Sequence, residues 1–101
     1  MITPEGKTKA RLDRLLKKYG NDLHAFKPVQ NGMGSPALDY IVCYKGRYAS
    51  IETKAGAAKM APRQEVTAGA LRKAGAAVFL VNDVSGEQEL IMWLGSVDAE
   101  G

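Results

Sequence analysis

Asp39-Tyr40-Ile41-Val42-Cys43-Tyr44-Lys45-Gly46-Arg47-Tyr48-Ala49-Ser50-Ile51-Glu52-Thr53-Lys54 is the stretch that decides the fold. Two runs with strand composition, Tyr40 to Tyr44 and Tyr48 to Lys54, flank the turn residues Lys45-Gly46-Arg47. That pattern predicts a β-hairpin. A turn centred near Gly46 sets Asp39 almost opposite Glu52. Cross-strand neighbours hold their Cβ atoms roughly 4.5–5.5 Å apart. Glu52 and Lys54 lie two apart on one strand and therefore share a face. Two acids and a lysine converge from separate stretches of chain.

Outward from the hairpin, the flanking segments read as helix and strand in turn. Thr3 is a natural N-cap, Pro4 fits the first helical position and Glu5 suits the positive end of the dipole. Leu12, Leu15, Leu16 and Tyr19 follow helical spacing, and Gly20 is a stop. Glu5 falls nearly on the side of that apolar stripe. Residues Leu23 to Val29 are extended, with Pro28 marking an edge or a strand end. Gln30 to Pro36 is loop chemistry. After the hairpin, Ala55 to Ala61 is a small-residue loop. Pro62 opens a second helix that runs to about Ala74 and stops at Gly75. Ala76 to Val81 is a buried strand. Ser85 to Gln88 matches a capping box for a short last helix, with Leu90, Ile91 and Leu94 inward and Gly95 as its end. The order is αβββαβα. The strand after the crossover helix is expected parallel to its neighbour, giving an α/β fold with a mixed sheet flanked by helices. Residues 1–101 are expected to form a single domain.

Composition narrows the function classes. Hydrophobic residues are 46% and charged residues 25%, ordinary globular values. No apolar run is long enough to span a bilayer, and the polar N-terminus has no signal-peptide pattern, so a cytoplasmic protein is expected. The lone cysteine, Cys43, lies in an apolar run and is expected to be buried as a small hydrophobe. The lone histidine, His24, cannot build a zinc site or a histidine-dependent nuclease site. Met92 and Trp93 are expected in the core or an interface. The net charge of +3 hides an asymmetry: residues 1–73 carry all 14 bases against 6 acids, net +8, and the remainder carries 5 acids and no base. A basic body suggests a polyanionic partner, nucleic acid first.

The chemistry resides in Asp39, Glu52 and Lys54. Adjacent carboxylates repel, so either a proton is shared or a cation sits between them. Oxygen donors suit hard ions such as Mg²⁺ or Mn²⁺. Such an ion polarises phosphate and acidifies water. Lys54 would orient that water or steady charge developing on phosphate, and Glu5 would supply a third carboxylate. The competing reading is a solvated surface hairpin, since an E-x-K triplet alone carries no information. Context favours the site: Ala49 and Ile51 beside Glu52 look buried, and a Gly-rich loop before Asp39 lets backbone approach a ligand.

Asp39 followed across a hairpin by Glu52-x-Lys54 resembles the PD-(D/E)XK nuclease pattern. More specifically, the chain is similar to the VRR-NUC family, the virus-type replication-repair nucleases. The similarity rests on Asn31-Gly32-Met33-Gly34-Ser35-Pro36-Ala37-Leu38-Asp39-Tyr40, then Ile51-Glu52-Thr53-Lys54, Pro62-Arg63-Gln64 and Ala74-Gly75-Ala76. It runs from Thr3 to Val81. It implies a restriction-endonuclease-like αβββαβ core followed here by a short C-terminal helix. It implies a metal held by the Asp39 and Glu52 side chains and the Thr53 carbonyl, with Lys54 beside the attacking water. Gln64 matches a family glutamine that supports the site or contacts DNA, and Glu5 matches a helix-one glutamate. One departure is Leu38, where the family often has proline; here Pro36 stands two residues earlier. The stand-alone, phage-borne members match this chain in length and act as homodimers on branched DNA.

The expectation is therefore a Mg²⁺- or Mn²⁺-dependent endonuclease for branched DNA such as Holliday junctions or flaps. No base-reading motif is visible, so shape is expected to guide it. Lys7, Arg11, Lys59 and Arg63 are the expected phosphate contacts. The alternative is a non-catalytic nucleic-acid-binding module on the same fold. A third reading is an interaction protein with no nucleic-acid partner.

Overall fold

In the computed structural model, residues 2–30 and 34–100 are described. Helix α1 spans Pro4–Lys17, strand β1 Leu23–Phe26, β2 Tyr40–Tyr44, β3 Arg47–Thr53, helix α2 Pro62–Lys73, strand β4 Ala77–Val81 and helix α3 Glu87–Ala99. A single 3₁₀ turn, Gly20–Asp22, links α1 to β1. The strands form one mixed sheet in the order β1-β2-β3-β4. The first three are antiparallel, and β4 returns parallel to β3 through the α2 crossover. The expected α/β architecture, a mixed sheet flanked by helices, is what forms.

Local chemistry sets the boundaries. Thr3 Oγ1 accepts the Gly6 N–H at 3.0 Å and caps α1. Lys45 and Gly46 both have positive φ, 50° and 82°, which makes the β2–β3 connection a two-residue turn matched to strand twist. At α2, Gln64 Oε1 accepts the Ala61 N–H at 2.8 Å. Helix α3 departs from expectation at both ends. Ser85 is not its cap: the Ser85 hydroxyl is 3.1 Å from Asn82 Oδ1, and Gly86 is the cap, its N–H donating to Glu89 at 3.0 Å. Gly95 does not end the helix, which continues to Ala99. One glycine costs a helix only about 1 kcal/mol, and Leu94 and Val97 on either side are buried.

Alternation along the strands divides the sheet. Tyr40, Val42 and Tyr44 of β2 and Ala49 and Ile51 of β3 pack with Leu12 and Leu16 of α1 and Leu90 and Leu94 of α3. Trp93 packs partly buried against this cluster, 5.9 Å from Phe79 between ring centroids, while Met92 is 66% exposed and lies outside it. The two buried tyrosines keep their hydroxyls partnered, Tyr40 with Asp13 at 2.7 Å and Tyr44 with Asp98 at 2.6 Å. The other face carries Ser50 and Glu52, with α2 over it. Cys43 also lies on this second face, and it is exposed rather than buried. Strand β2 is apolar on both sides, but only its even-numbered residues are buried. Phe26, paired with Ile41, and Tyr48, paired with Cys43, share that open half-face and are 53% and 44% exposed. Among the described residues, no helix is long and apolar enough to cross a membrane.

Candidate active site

The hairpin register pairs Tyr40 with Ile51, so one step further places Asp39 beside Glu52. The carboxylates meet at the sheet end where β2 begins and β3 finishes. Glu52 is 3% exposed and Thr53 fully buried. Leu38 is also fully buried. It anchors the chain immediately before Asp39.

Every oxygen of the pair has a neighbour. Asp39 Oδ2 accepts the Thr53 N–H at 2.9 Å and the Thr53 hydroxyl at 2.8 Å. Asp39 Oδ1 faces Lys9 Nζ at 3.9 Å. Glu52 Oε1 accepts the Asp39 N–H at 3.3 Å. Glu52 Oε2 accepts from Gln64 Nε2 at 2.8 Å and lies 3.7 Å from Lys54 Nζ. Burial, and then the negative charge of Asp39, push the Glu52 carboxyl above its ordinary pKa, with Lys54 opposing them. The pair is therefore strained electrostatically when both groups are ionised, and a cation relieves that strain.

Of the residues singled out in the sequence, Asp39, Glu52, Thr53, Lys54 and Gln64 are brought together. Gln64 spans two tasks, capping α2 with its oxygen and holding Glu52 with its nitrogen. Glu5 is not gathered into a three-carboxylate cage. Among the described residues there is no group of three His, Cys, Asp or Glu side chains placed to hold a metal. Glu5 Oε1 instead lies 3.9 Å from Lys9 Nζ, one helical turn along α1. It still acts on Glu52 through its charge, as the weakest of the influences raising that pKa. Asn31, Gly32 and Met33 of the Gly-rich loop lie outside the described residues.

Lys7, Lys59 and Arg63 are exposed. Arg11 is engaged within the fold: its guanidinium reaches Asp83 at 3.3 Å, Glu87 at 3.4 Å and the Asn82 carbonyl at 3.2 Å. A groove of about 600 Å³ opens beside Gln64, lined by Ser35, Pro36, Arg63 and Thr67 among others.

Two features of the site were not singled out in the sequence. The first is Lys9, whose signal was the i, i+4 spacing from Glu5. The second is Asn82-Asp83 at the end of β4. Asn82 Nδ2 donates to the Ala58 carbonyl at 3.1 Å, and Asp83 Oδ2 accepts the Gly56 N–H at 2.6 Å. These bonds pin the loop that joins Lys54 to α2. An Asn-Asp pair closing an apolar strand is a turn signal, but the loop it would hold is not written in the sequence.

No protein-family model matches this sequence, and neither does any curated protein. Among solved structures, one described as a VRR_NUC domain is similar over 96% of this chain and 92% of its own, with a TM-score of 0.68 and 25% sequence identity. Fold and near-complete coverage in both directions make this chain similar to a VRR_NUC domain, on a nuclease-like fold.

Proposed function

We propose that this protein is a metal-dependent DNA endonuclease that hydrolyses phosphodiester bonds at branched DNA such as Holliday junctions or flaps. The observation that carries the reading is the juxtaposition of Asp39 with the buried Glu52, and of Lys54 Nζ 3.7 Å from Glu52. The donor set fits a hard divalent cation: two carboxylates whose mutual repulsion is relieved by positive charge. Asp39 and Glu52 would hold Mg²⁺ or Mn²⁺ with the Thr53 carbonyl. In an extended strand the N–H and C=O of one residue face the same neighbour, and the Thr53 N–H already points at Asp39. A bound ion of this kind supplies Lewis acidity, polarising phosphate and making water easier to deprotonate.

The chain's own residues supply the rest. Lys54 directs an ammonium toward the place where charge develops on phosphate. Gln64 fixes the rotamer of Glu52, and the Thr53 hydroxyl fixes that of Asp39. Lys7, Lys59 and Arg63 are the exposed cations that track phosphate, while Arg11 serves first to bind α1 to the β4–α3 loop. Shape selection follows from a site with basic flanks and no base-reading element. The family likeness further implies a phage-type enzyme acting in the cytoplasm of its host as a homodimer. The open half-face bearing Phe26, Ile41, Cys43 and Tyr48 is apolar surface suited to a second copy.

The test is cleavage of labelled four-way junction, flap, splayed-arm and duplex DNA with Mg²⁺, Mn²⁺ or EDTA, beside Glu52→Ala. Metal-dependent cleavage that the substitution abolishes is expected. Salt-sensitive binding with no cleavage in any metal would instead support the non-catalytic binding module. The intact set of Asp39, Glu52 and Lys54 argues against that alternative, because a degenerate site usually loses one member.

A further inference from the structure

Lys9 lies beside the carboxylate pair. Its Nζ lies 3.9 Å from Asp39 Oδ1 and 3.9 Å from Glu5 Oε1, with 38% of the side chain exposed. In two-metal hydrolytic centres the ions lie roughly 3.5–4 Å apart and share carboxylates. This site has too few acids for that arrangement. Among the described residues no three acidic, histidine or cysteine side chains form a metal cluster. Three of the four oxygens of Asp39 and Glu52 already accept hydrogen bonds, from Thr53, from the Asp39 amide and from Gln64. The fourth, Asp39 Oδ1, faces Lys9.

The position of Lys9 is built into the fold. One turn further along α1, Asp13 accepts the hydroxyl proton of the buried Tyr40 at 2.7 Å. The Lys9 carbonyl lies 3.3 Å from the same hydroxyl. A phenol has one proton, and the shorter bond to the carboxylate takes it. Together the two contacts fix this stretch of helix against the first residue of β2, next to Asp39. Charge points the same way. Glu5, Asp39 and Glu52 against Lys9 and Lys54 leave the site one negative charge. One divalent ion makes it singly positive, the complement of a single phosphodiester, and a second would overshoot.

We propose that Lys9 supplies the positive charge that a second metal ion supplies in a two-ion centre. The site then takes one divalent cation, and Lys9 flanks the substrate phosphate on the Asp39 side as Lys54 does on the Glu52 side. This rests on the metal-dependent nuclease reading above.

The experiment is Mn²⁺ binding to the purified protein without DNA, by titration calorimetry and electron paramagnetic resonance, for wild type and Lys9→Gln. Junction cleavage at saturating Mn²⁺ and thermal melts are run in parallel. Wild type is expected to bind one Mn²⁺. Lys9→Gln, with an ammonium no longer competing for Asp39, is expected to bind Mn²⁺ about two- to fivefold more tightly. It is also expected to cleave at least about tenfold more slowly, with Lys9→Arg restoring part of the rate. Tighter metal with slower chemistry is a split that mere structural damage does not produce, because damage weakens both. Two ions bound to wild type, or a Lys9→Gln protein with unchanged metal affinity or unchanged cleavage, overturns the inference and leaves the nuclease reading standing. Wild type that binds no Mn²⁺ and cleaves nothing removes both.

Discussion

Thr53→Val tests whether the Thr53 side chain, and not its backbone alone, sets the geometry of Asp39. Thr53 is fully buried, and its hydroxyl lies 2.8 Å from Asp39 Oδ2. Valine keeps the shape and the backbone N–H, which still reaches the same oxygen at 2.9 Å. What is lost is one hydrogen bond to an ionised acceptor, about 1.5–3 kcal/mol. What is gained is a buried methyl in place of a hydroxyl, which offsets about 0.8 kcal/mol. The expected net loss is roughly 1–2 kcal/mol. At about 4–8 °C per kcal/mol for a domain of this size, Tm falls by roughly 5–15 °C. Calorimetry and urea melts at neutral pH read the stability, and junction cleavage reads the chemistry. Because Asp39 is left with one hold instead of two, cleavage is expected to fall further than DNA binding. Thr53→Ser, which keeps the hydroxyl, should retain most of the cleavage rate. A Thr53→Val protein that melts within about 2 °C of wild type and cleaves normally would refute the assignment.

Three further predictions concern fold, pH and substrate. A Cβ at Gly86, where φ is 94°, would sit 1.8 Å from the Leu80 carbonyl oxygen. Gly86→Ala is therefore expected to cost about 3 kcal/mol or more, read as a lower urea midpoint; an unchanged midpoint would mean that the β4–α3 turn is wrong. Hydrogen bonds from Tyr44 and then Lys45 hold the Asp98 carboxyl below its ordinary pKa. A lowered folded-state pKa gives stability that is present above the unfolded value of 3.8 and lost as pH falls through the folded one. Asp98→Asn should be less stable than wild type at neutral pH and converge with it in acid, so parallel melting curves across that range would contradict the pairing. Lys59→Ala and Arg63→Ala should each weaken junction binding at low salt and reduce the salt slope by about 0.9. A gel-shift series over salt concentration measures this, and an unchanged slope would take those residues off the DNA path.

What the sequence determined by itself is whatever depends on near neighbours. Alternation and a turn read as Lys45-Gly46-Arg47 brought Asp39 near Glu52, and the structure sharpened this by one step, pairing Arg47 with Tyr44 and leaving a two-residue turn, because strand pairing is arithmetic once the turn is known. Thr3-Pro4 and Ala61-Pro62 marked two helix starts, because caps and prolines act within one turn. Where two local signals competed, the nearer one misled. Ser85 resembles a cap, yet its hydroxyl meets Asn82, and Gly95 resembles a stop, yet burial of Leu94 and Val97 carries α3 through it. Only tertiary structure decided which face of an apolar strand would meet a helix, leaving Cys43 exposed. Only tertiary structure set Lys9 across from Asp39, 30 residues away in the chain, and joined Arg11 to Asp83. The physical reason is common to both: an ion pair between distant residues forms where packing brings α1 against the sheet and the β4–α3 loop, and no local pattern in either segment records its partner.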